Sequence, residues 1–360
     1  MKVVVTGTRG IPHILGGVET HCEELFPRIA ASGYEVIVVR RKNYVKDSLR
    51  EYKEVQLIDV STIKRKPFEA IVHTFKAIWK AKKLHADIIH IHAIGPAIVA
   101  PLARLLGLKV VFTHHGFDYE REKWGRAAKI MLKFGERMGC MFANEVIIIS
   151  DVINQTVKRK YNRHNAHLIY NGVSVPRFIQ STSYLDELGI QPQKYLFAMG
   201  RFVPEKNFHQ LIHAFTAFAS ESYKLVLAGD ADFEDSYSKA LKASAQKAGV
   251  ILTGFVKGEK LQALLTHAKA FVLPSSHEGL PISLLEAMSY HLPVIASNIP
   301  ANVEIGLPSE CYFQVGDVRE LAERLAKAVK EPTHPINYDM GKYNWDEIAK
   351  QVIQVYEQIK

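Results

Sequence analysis

At 360 residues the chain should hold about two domains, each large enough for its own core, and its 48% hydrophobic and 23% charged residues are the composition of a soluble globular protein. The net charge of +9 is uneven: residues 1–165 hold 28 Lys and Arg against 16 Asp and Glu, net +12, and the remainder holds 18 against 21, net −3. Three scattered cysteines (Cys22, Cys140, Cys311) without a C-x-x-C pair imply neither a disulfide framework nor a zinc site, MKVVVTGTRG is too short an apolar run for a signal peptide, and no stretch has 18 uninterrupted apolar residues.

Strand and helix patterns alternate from the start, which predicts parallel sheets joined by crossover helices. Residues 2–6 read as a buried strand, 7–17 as a glycine-rich loop and 18–32 as an amphipathic helix closed by Gly33. Strands at 35–40 and 55–59, a helix at 67–83, a strand at 88–91, a helix at 96–106 and a strand at 109–113 come next. A helix at 122–142, a strand at 146–149 and a helix capped by Asp151 and ending at Tyr161 complete one doubly wound domain. The rhythm lapses after His167, where Asn171-Gly172, Pro176, Ser181, Ser183 and Pro192 mark a linker. A second run follows: strands at 195–199, 224–228, 250–253, 270–273 and 293–296, with helices at 207–220, 233–248, 258–267, from about 281, and at 317–330. Beyond Pro332 and Pro335 a last helix spans about 345–360. The expected division is therefore 1–168, a linker at 169–193, 194–340, and a C-terminal helix at 341–360.

The second run contains the most informative stretch, SSHEGLPISLLEAMS at 275–289, where a strand turns into a helix. Pro281 suits the first helical position, and Gly279 lets the backbone approach whatever sits above the turn. With Leu280 and Pro281 leading in, the amides of Ile282 and Ser283 at the positive end of the helix dipole make an anion site. Glu278 and Glu286 bracket it, and Glu286 lies about 7.5 Å along the helix from Pro281. A carboxylate on each side of an anion site suits a ligand with hydroxyls at both ends and phosphate between. A nucleotide sugar is such a ligand.

The E-x7-E spacing resembles the signature of retaining glycosyltransferases of family four, which have the GT-B fold: α/β, two Rossmann-like doubly wound domains facing a central cleft. The resemblance covers nearly the whole chain and implies that the last helix crosses back onto the first domain. It implies an acceptor-binding first domain and a nucleotide-sugar-binding second domain. It also gives Glu278 to the transferred sugar, Glu286 to the ribose, and Arg201 and Lys206 of GRFVPEKN to the diphosphate. Gly254, Phe255 and Val256 match the segment whose backbone reads the base, and Asn171-Gly172-Val173 the interdomain hinge.

In the first domain, Gly16 and Gly17 resemble the family loop that meets the donor phosphate. A dinucleotide reading of 7–17 fits poorly, because the third glycine is missing and the second strand ends in Arg40-Arg41, not an acid. His115 of THHGFD matches the family histidine beside the donor sugar, with His114 the register alternative, whereas His90 and His92 read as core residues. The run from Tyr119 to Gly125 resembles a subgroup that builds surface polysaccharides. Asp230-Ala231-Asp232 looks like a metal triplet by chance, so no metal and no other cofactor is expected.

Two basic stretches remain. Residues 63–83 hold seven Lys and Arg and one acid, with Phe68, Ile71, Val72, Phe75 and Ile78 at helical spacing; 121–137 hold six, interleaved with Trp124, Ile130, Met131 and Phe134. Any one such helix is ordinarily core-packed with a solvated basic face, but two in one domain favour contact with anionic lipid. No nucleic-acid module is recognised.

The expected activity is metal-independent, retaining transfer from a nucleotide diphosphate sugar to a glycan or lipid-linked glycan, at the inner face of the plasma membrane. The rival readings are a sugar-nucleotide epimerase of the same fold and a non-catalytic nucleotide-sugar-binding protein.

Overall fold

A computed structural model describes residues 1–62, 68–121, 124–218, 222–332 and 334–360. The chain forms two units, one of residues 1–172 and 343–360 and one of residues 173–342. In the first unit the order is β1 (Lys2–Thr6), α1 (Gly17–Ala31), β2 (Glu35–Arg41), β3 (Glu51–Tyr52), β4 (Val55–Val60), α2 (Phe68–Lys83), β5 (Ile88–His92) and α3 (Ala100–Leu105). It continues through β6 (Lys109–His114), α4 (Arg126–Phe142), β7 (Glu145–Ile148), α5 (Asp151–Tyr161) and β8 (His167–Leu168). The sheet runs β3-β4-β2-β1-β5-β6-β7-β8, parallel except for the short β3 edge. Its central strands are Val- and Ile-rich because helices cover both faces.

The second unit is built from α6 (Ser183–Glu187), β9 (Tyr195–Met199), α7 (Phe208–Phe218), β10 (Lys224–Ala228), α8 (Ser236–Lys247), β11 (Ile251–Gly254), α9 (Gly258–His267) and β12 (Ala270–Leu273). After them come α10 (Ile282–Ser289), β13 (Val294–Ser297), α11 (Pro300–Val303), β14 (Tyr312–Phe313) and α12 (Val318–Lys330). Its sheet runs β11-β10-β9-β12-β13-β14, all parallel. In both sheets the chain starts in the middle, builds one side, then returns to build the other. The reversal falls between β1 and β5 in the first sheet and between β9 and β12 in the second, which is where ligands of such sheets bind.

The last helix, α13 (Trp345–Glu357), is part of the first unit. Asn344 caps it by accepting from Asp346 and Glu347. Trp345, Ile348, Val352, Val355 and Tyr356 join the core that holds Val3, Leu25, Phe26 and Val36. Each such buried side chain contributes about 1.5–3 kcal/mol. Arg28 meets Asp346 at 2.7 Å, and Tyr356 OH lies 2.7 Å from His90 Nδ1, so polar contacts fix the register of α13 as well.

Several boundaries differ from the sequence expectations. Ser150, not Asp151, caps α5: its backbone is extended and its hydroxyl accepts from Ile153. The helix expected from 122 begins at Arg126, after a 3-10 turn at Asp118–Glu120, with 122–123 outside the described residues. The linker stretch carries α6, and the short strands β3, β8 and β14 lacked enough residues to show a period. The start of the expected helix at 67 and the end of that at 220 lie outside the described residues.

Candidate active site

The loops that follow β9 and β12 are adjacent, and the backbone stitches them together. Ser276 N–H donates to the Glu205 carbonyl at 2.9 Å, and Asn207 Nδ2 donates to the Pro274 carbonyl at 3.1 Å. Buried Phe202 and Phe208 meet edge to face with ring centroids 5.9 Å apart, which anchors the first loop from beneath. Lys206 ends a 3-10 turn at Pro204–Lys206, and its ammonium lies 2.5 Å from Glu278 Oε1. Both side chains are mostly shielded, 16% and 12% exposed. Burial pushes the Glu278 carboxyl up, but Lys206, the Ser275 hydrogen bond and His277 outweigh it and hold the group below the usual carboxylate range. Glu278 is therefore an ionised acceptor at neutral pH.

The helix that follows begins one residue later than its proline suggested. Pro281 is the N-cap of α10, with φ −79° and ψ 100°, and its carbonyl accepts from Leu285, so Ile282 is the first helical residue. No side chain caps this end, and the amides of Ile282 and Ser283 lack partners within the helix. Gly279 is half-buried, Leu280 is buried, and Glu286 lies one turn along, half-buried. A bound anion at those amides would have a carboxylate before it and another after it.

Arg201 reaches Asp232 at 3.1 Å, and Asp230 pairs with Lys242 at 2.8 Å. Both acids of the D-x-D triplet thus face cations of the protein. Gly229, φ 131°, follows β10, and a Cβ there would collide with the Gly200 carbonyl, so these two loops approach each other only through glycine. The Gly254 carbonyl accepts from Gly229 at 2.8 Å, which sets the 254–256 segment beside them. The Phe255 ring is 42% exposed, with Lys257 Nζ 5.6 Å from its centroid.

In the first unit Glu19 organises the 7–17 loop. Its carboxylate accepts from Thr8 Oγ1 at 3.2 Å and from Arg9 N–H at 3.0 Å, and pairs with the Arg9 guanidinium at 2.9 Å. Gly16, φ 139°, leaves room for that pair, since a Cβ would strike both members, while Gly17 opens α1 with nothing near. Arg40 is fully buried, held by Asp59 at 2.7 Å and Asp47 at 2.9 Å, and fills the position where a dinucleotide site places its acid.

The two adjacent histidines differ in their partners. His114 is buried against Glu136 at 2.9 Å, and Tyr161 OH donates to the same carboxylate at 2.6 Å. His115, one residue past β6, instead lies 2.8 Å from His92 and packs edge to face on His21. His90 is buried between Tyr356 OH and Thr113 Oγ1, as a core residue should be. Nothing in the sequence linked His21, His92 and His115, because they come from separate elements. Glu19 also went unread, although its place two residues past a Gly-Gly pair was the available signal.

The basic helices turn aromatic residues outward. On α2, Phe68, Phe75 and Trp79 are 54%, 44% and 44% exposed on one stripe beside Lys76, Lys80 and Lys83, while Ala77, Ile78 and Ala81 face the core. On α4, Ile130, Phe134 and Met141 are exposed along a stripe with Arg137. Both helices pack against the same 3-10 segment, Pro96–Val99. Residues 63–67 of the first basic stretch lie outside the described residues, and no described helix is long and apolar enough to cross a membrane.

Two family models match: "Glycosyltransferase Family 4" over residues 15–177 and "Glycosyl transferases group 1" over 182–346. An uncharacterised glycosyltransferase of Methanocaldococcus jannaschii is 26% identical over 99% of this chain and 98% of its own. A UDP-Gal:alpha-D-GlcNAc-diphosphoundecaprenol alpha-1,3-galactosyltransferase of Escherichia coli is also 26% identical, over 84% and 81%. Among solved structures, HepE of Anabaena in complex with UDP-glucose has the same fold, with TM-score 0.74 and 20% identity over 100% of this chain and 98% of that one. Between them the two models account for both units, and the chain belongs to the group-1, family-4 type of glycosyltransferases with the GT-B fold.

Proposed function

We propose that the protein transfers a sugar, with retention and without a metal, from a nucleotide diphosphate sugar to a lipid-linked glycan. The observation that carries this is the Lys206–Glu278 pair beside the uncapped start of α10. A diphosphate seated on the Ile282 and Ser283 amides competes with Glu278 for the Lys206 ammonium and finds a second cation in Arg201. Released from Lys206, the ionised Glu278 accepts hydrogen bonds from sugar hydroxyls. Glu286 takes the ribose, and Gly254, Phe255 and Val256 the base. Gly16, Gly17 and His115 are given to phosphate and sugar by the family resemblance alone. In the transfer step the bond from the anomeric carbon to the diphosphate oxygen breaks. The acceptor oxygen bonds to that carbon on the same face, and its proton passes to the departing phosphate.

The outward stripes of α2 and α4 support this acceptor class. Exposed Phe, Trp and Ile beside Lys and Arg suit the headgroup boundary of an anionic bilayer. The Escherichia coli relative, named for a diphosphoundecaprenol-linked acceptor, supports the same class. Donor is incubated with and without lipid-linked acceptor, and nucleoside diphosphate and product are followed by chromatography. Acceptor-dependent nucleoside diphosphate release is expected; an altered sugar nucleotide formed without acceptor would identify an epimerase. Flotation with vesicles tests the surface. Binding to anionic but not neutral vesicles, lost in Phe75→Ser with Trp79→Ser, is expected, and equal binding to both would remove the membrane from the account.

A further inference from the structure

His21 in α1, His92 at the end of β5 and His115 just past β6 point their rings at one spot in the first unit. One nitrogen from each lies within 4.8 Å of the other two. The His92 Nδ1 and His115 Nε2 atoms are 2.8 Å apart, and the His21 ring stands edge-on to the His115 ring with centroids 4.8 Å apart. His21 and His92 are 2% and 0% exposed, and His21 Nε2 is buried without a hydrogen-bond partner. Leaving a buried polar atom unmatched costs about 1–3 kcal/mol, so this one calls for an explanation.

Asn171 supplies part of one. Its side-chain oxygen lies 2.9 Å from His21 Nδ1, and an amide oxygen only accepts, so Nδ1 carries the proton and Nε2 presents a bare lone pair. That is the arrangement of a metal-bound imidazole, whose second nitrogen is tied to an oxygen that orients the ring.

We propose that His21, His92 and His115 bind one divalent cation of the zinc type, oriented by Asn171. Three neutral imidazoles and no thiolate or carboxylate favour Zn²⁺ or Co²⁺ over Mg²⁺ or Ca²⁺. With three protein ligands a fourth position stays open, and an anion such as hydroxide there would offset the ionic charge. Binding needs only side-chain adjustment. Zn–N bonds of about 2.0–2.1 Å in a tetrahedron set the nitrogens about 3.3 Å apart, so the 2.8 Å His92–His115 spacing widens slightly while the wider separations close. His115 is less buried than the other two and gives the ion its way in. The inference rests on the histidines and not on the transfer reading. Since that reading gives His115 to the sugar, ion and donor would exclude each other.

Tag-free, chelator-treated protein titrated with Co²⁺ at pH 7.5 tests this. One equivalent should bind with the visible absorption of a four-coordinate ion and be displaced by Zn²⁺. His21→Ala and His92→Ala should each weaken binding ~100-fold or more, and Asn171→Ala, which keeps all three ligands, ~10–100-fold. Failure to bind Co²⁺ below millimolar concentration, or an affinity unchanged in His21→Ala and Asn171→Ala, would overturn the proposal.

Discussion

At the β1/β5 reversal of the first sheet the chain gathers imidazoles that burial keeps neutral. At the β9/β12 reversal of the second it gathers acids and bases in ion pairs: Lys206 with Glu278 and, one loop away, Arg201 with Asp232. The strand order is the same in both, so topology decides where side chains meet but not what chemistry they bring. The residues just past the strand ends supply that difference. An uncharged pocket can bind hydroxyls or a soft cation, whereas a paired-charge pocket is primed for an anion that breaks the pairs.

Four changes probe this contrast. Removing the apolar cover of the neutral cluster should cost most. Trp345 is 2% exposed and its ring lies 5.5 Å from that of His21, so Trp345→Ala should lower stability by about 3–5 kcal/mol in urea melts. At the charged reversal, Lys206→Ala should reduce turnover about 10²–10³-fold by removing a cation from the departing diphosphate, with circular dichroism unchanged. If transfer persists undiminished, the charges there are structural.

Acid should separate a buried neutral histidine from the charged pair. His73 on α2 is buried, and burial, then Arg41 and Lys76, push it down to about 3. Its unfolded form takes a proton from about pH 6.5 downward while the folded form does not, so this contribution to stability is complete above that pH and is lost on acidification. His73 alone should add up to about 1.4 kcal/mol per unit to the fall in urea-measured stability between pH 6.5 and 5, and His73→Leu should remove that share of the slope. Glu278, held low, keeps its stabilising charge through that window and gives it up only in stronger acid. The smallest effect belongs to the D-x-D triplet. Asp230→Asn breaks a pair with Lys242 that is a third or more exposed, and should cost under about 1 kcal/mol and leave transfer in chelator unchanged.

The sequence carried the long parts of this molecule well. Strands 195–199, 224–228 and 270–273 are where their apolar runs place them, because a doubly covered parallel strand has little other choice. Local cap chemistry was harder: Pro281 and Asp151 each stand one residue from the role their type suggests, since neighbouring backbone angles decide which residue ends the helix. The histidine cluster was out of reach, because His21, His92 and His115 meet only once β1, β5 and β6 lie side by side. Which side chains of α2 face outward was not legible either, for a related reason. Periodicity finds an apolar stripe but not which of two stripes the sheet covers, and Phe75 faces solvent while Ile78 does not.

The placement of α13 has a consequence for biogenesis. The second unit is one unbroken length of chain and can close its core as soon as Lys342 has left the ribosome, whereas the first unit, though synthesised earlier, waits for Trp345, Ile348 and Val352. The half that emerges first is thus the half that finishes last, and until α13 emerges it holds an open apolar seam.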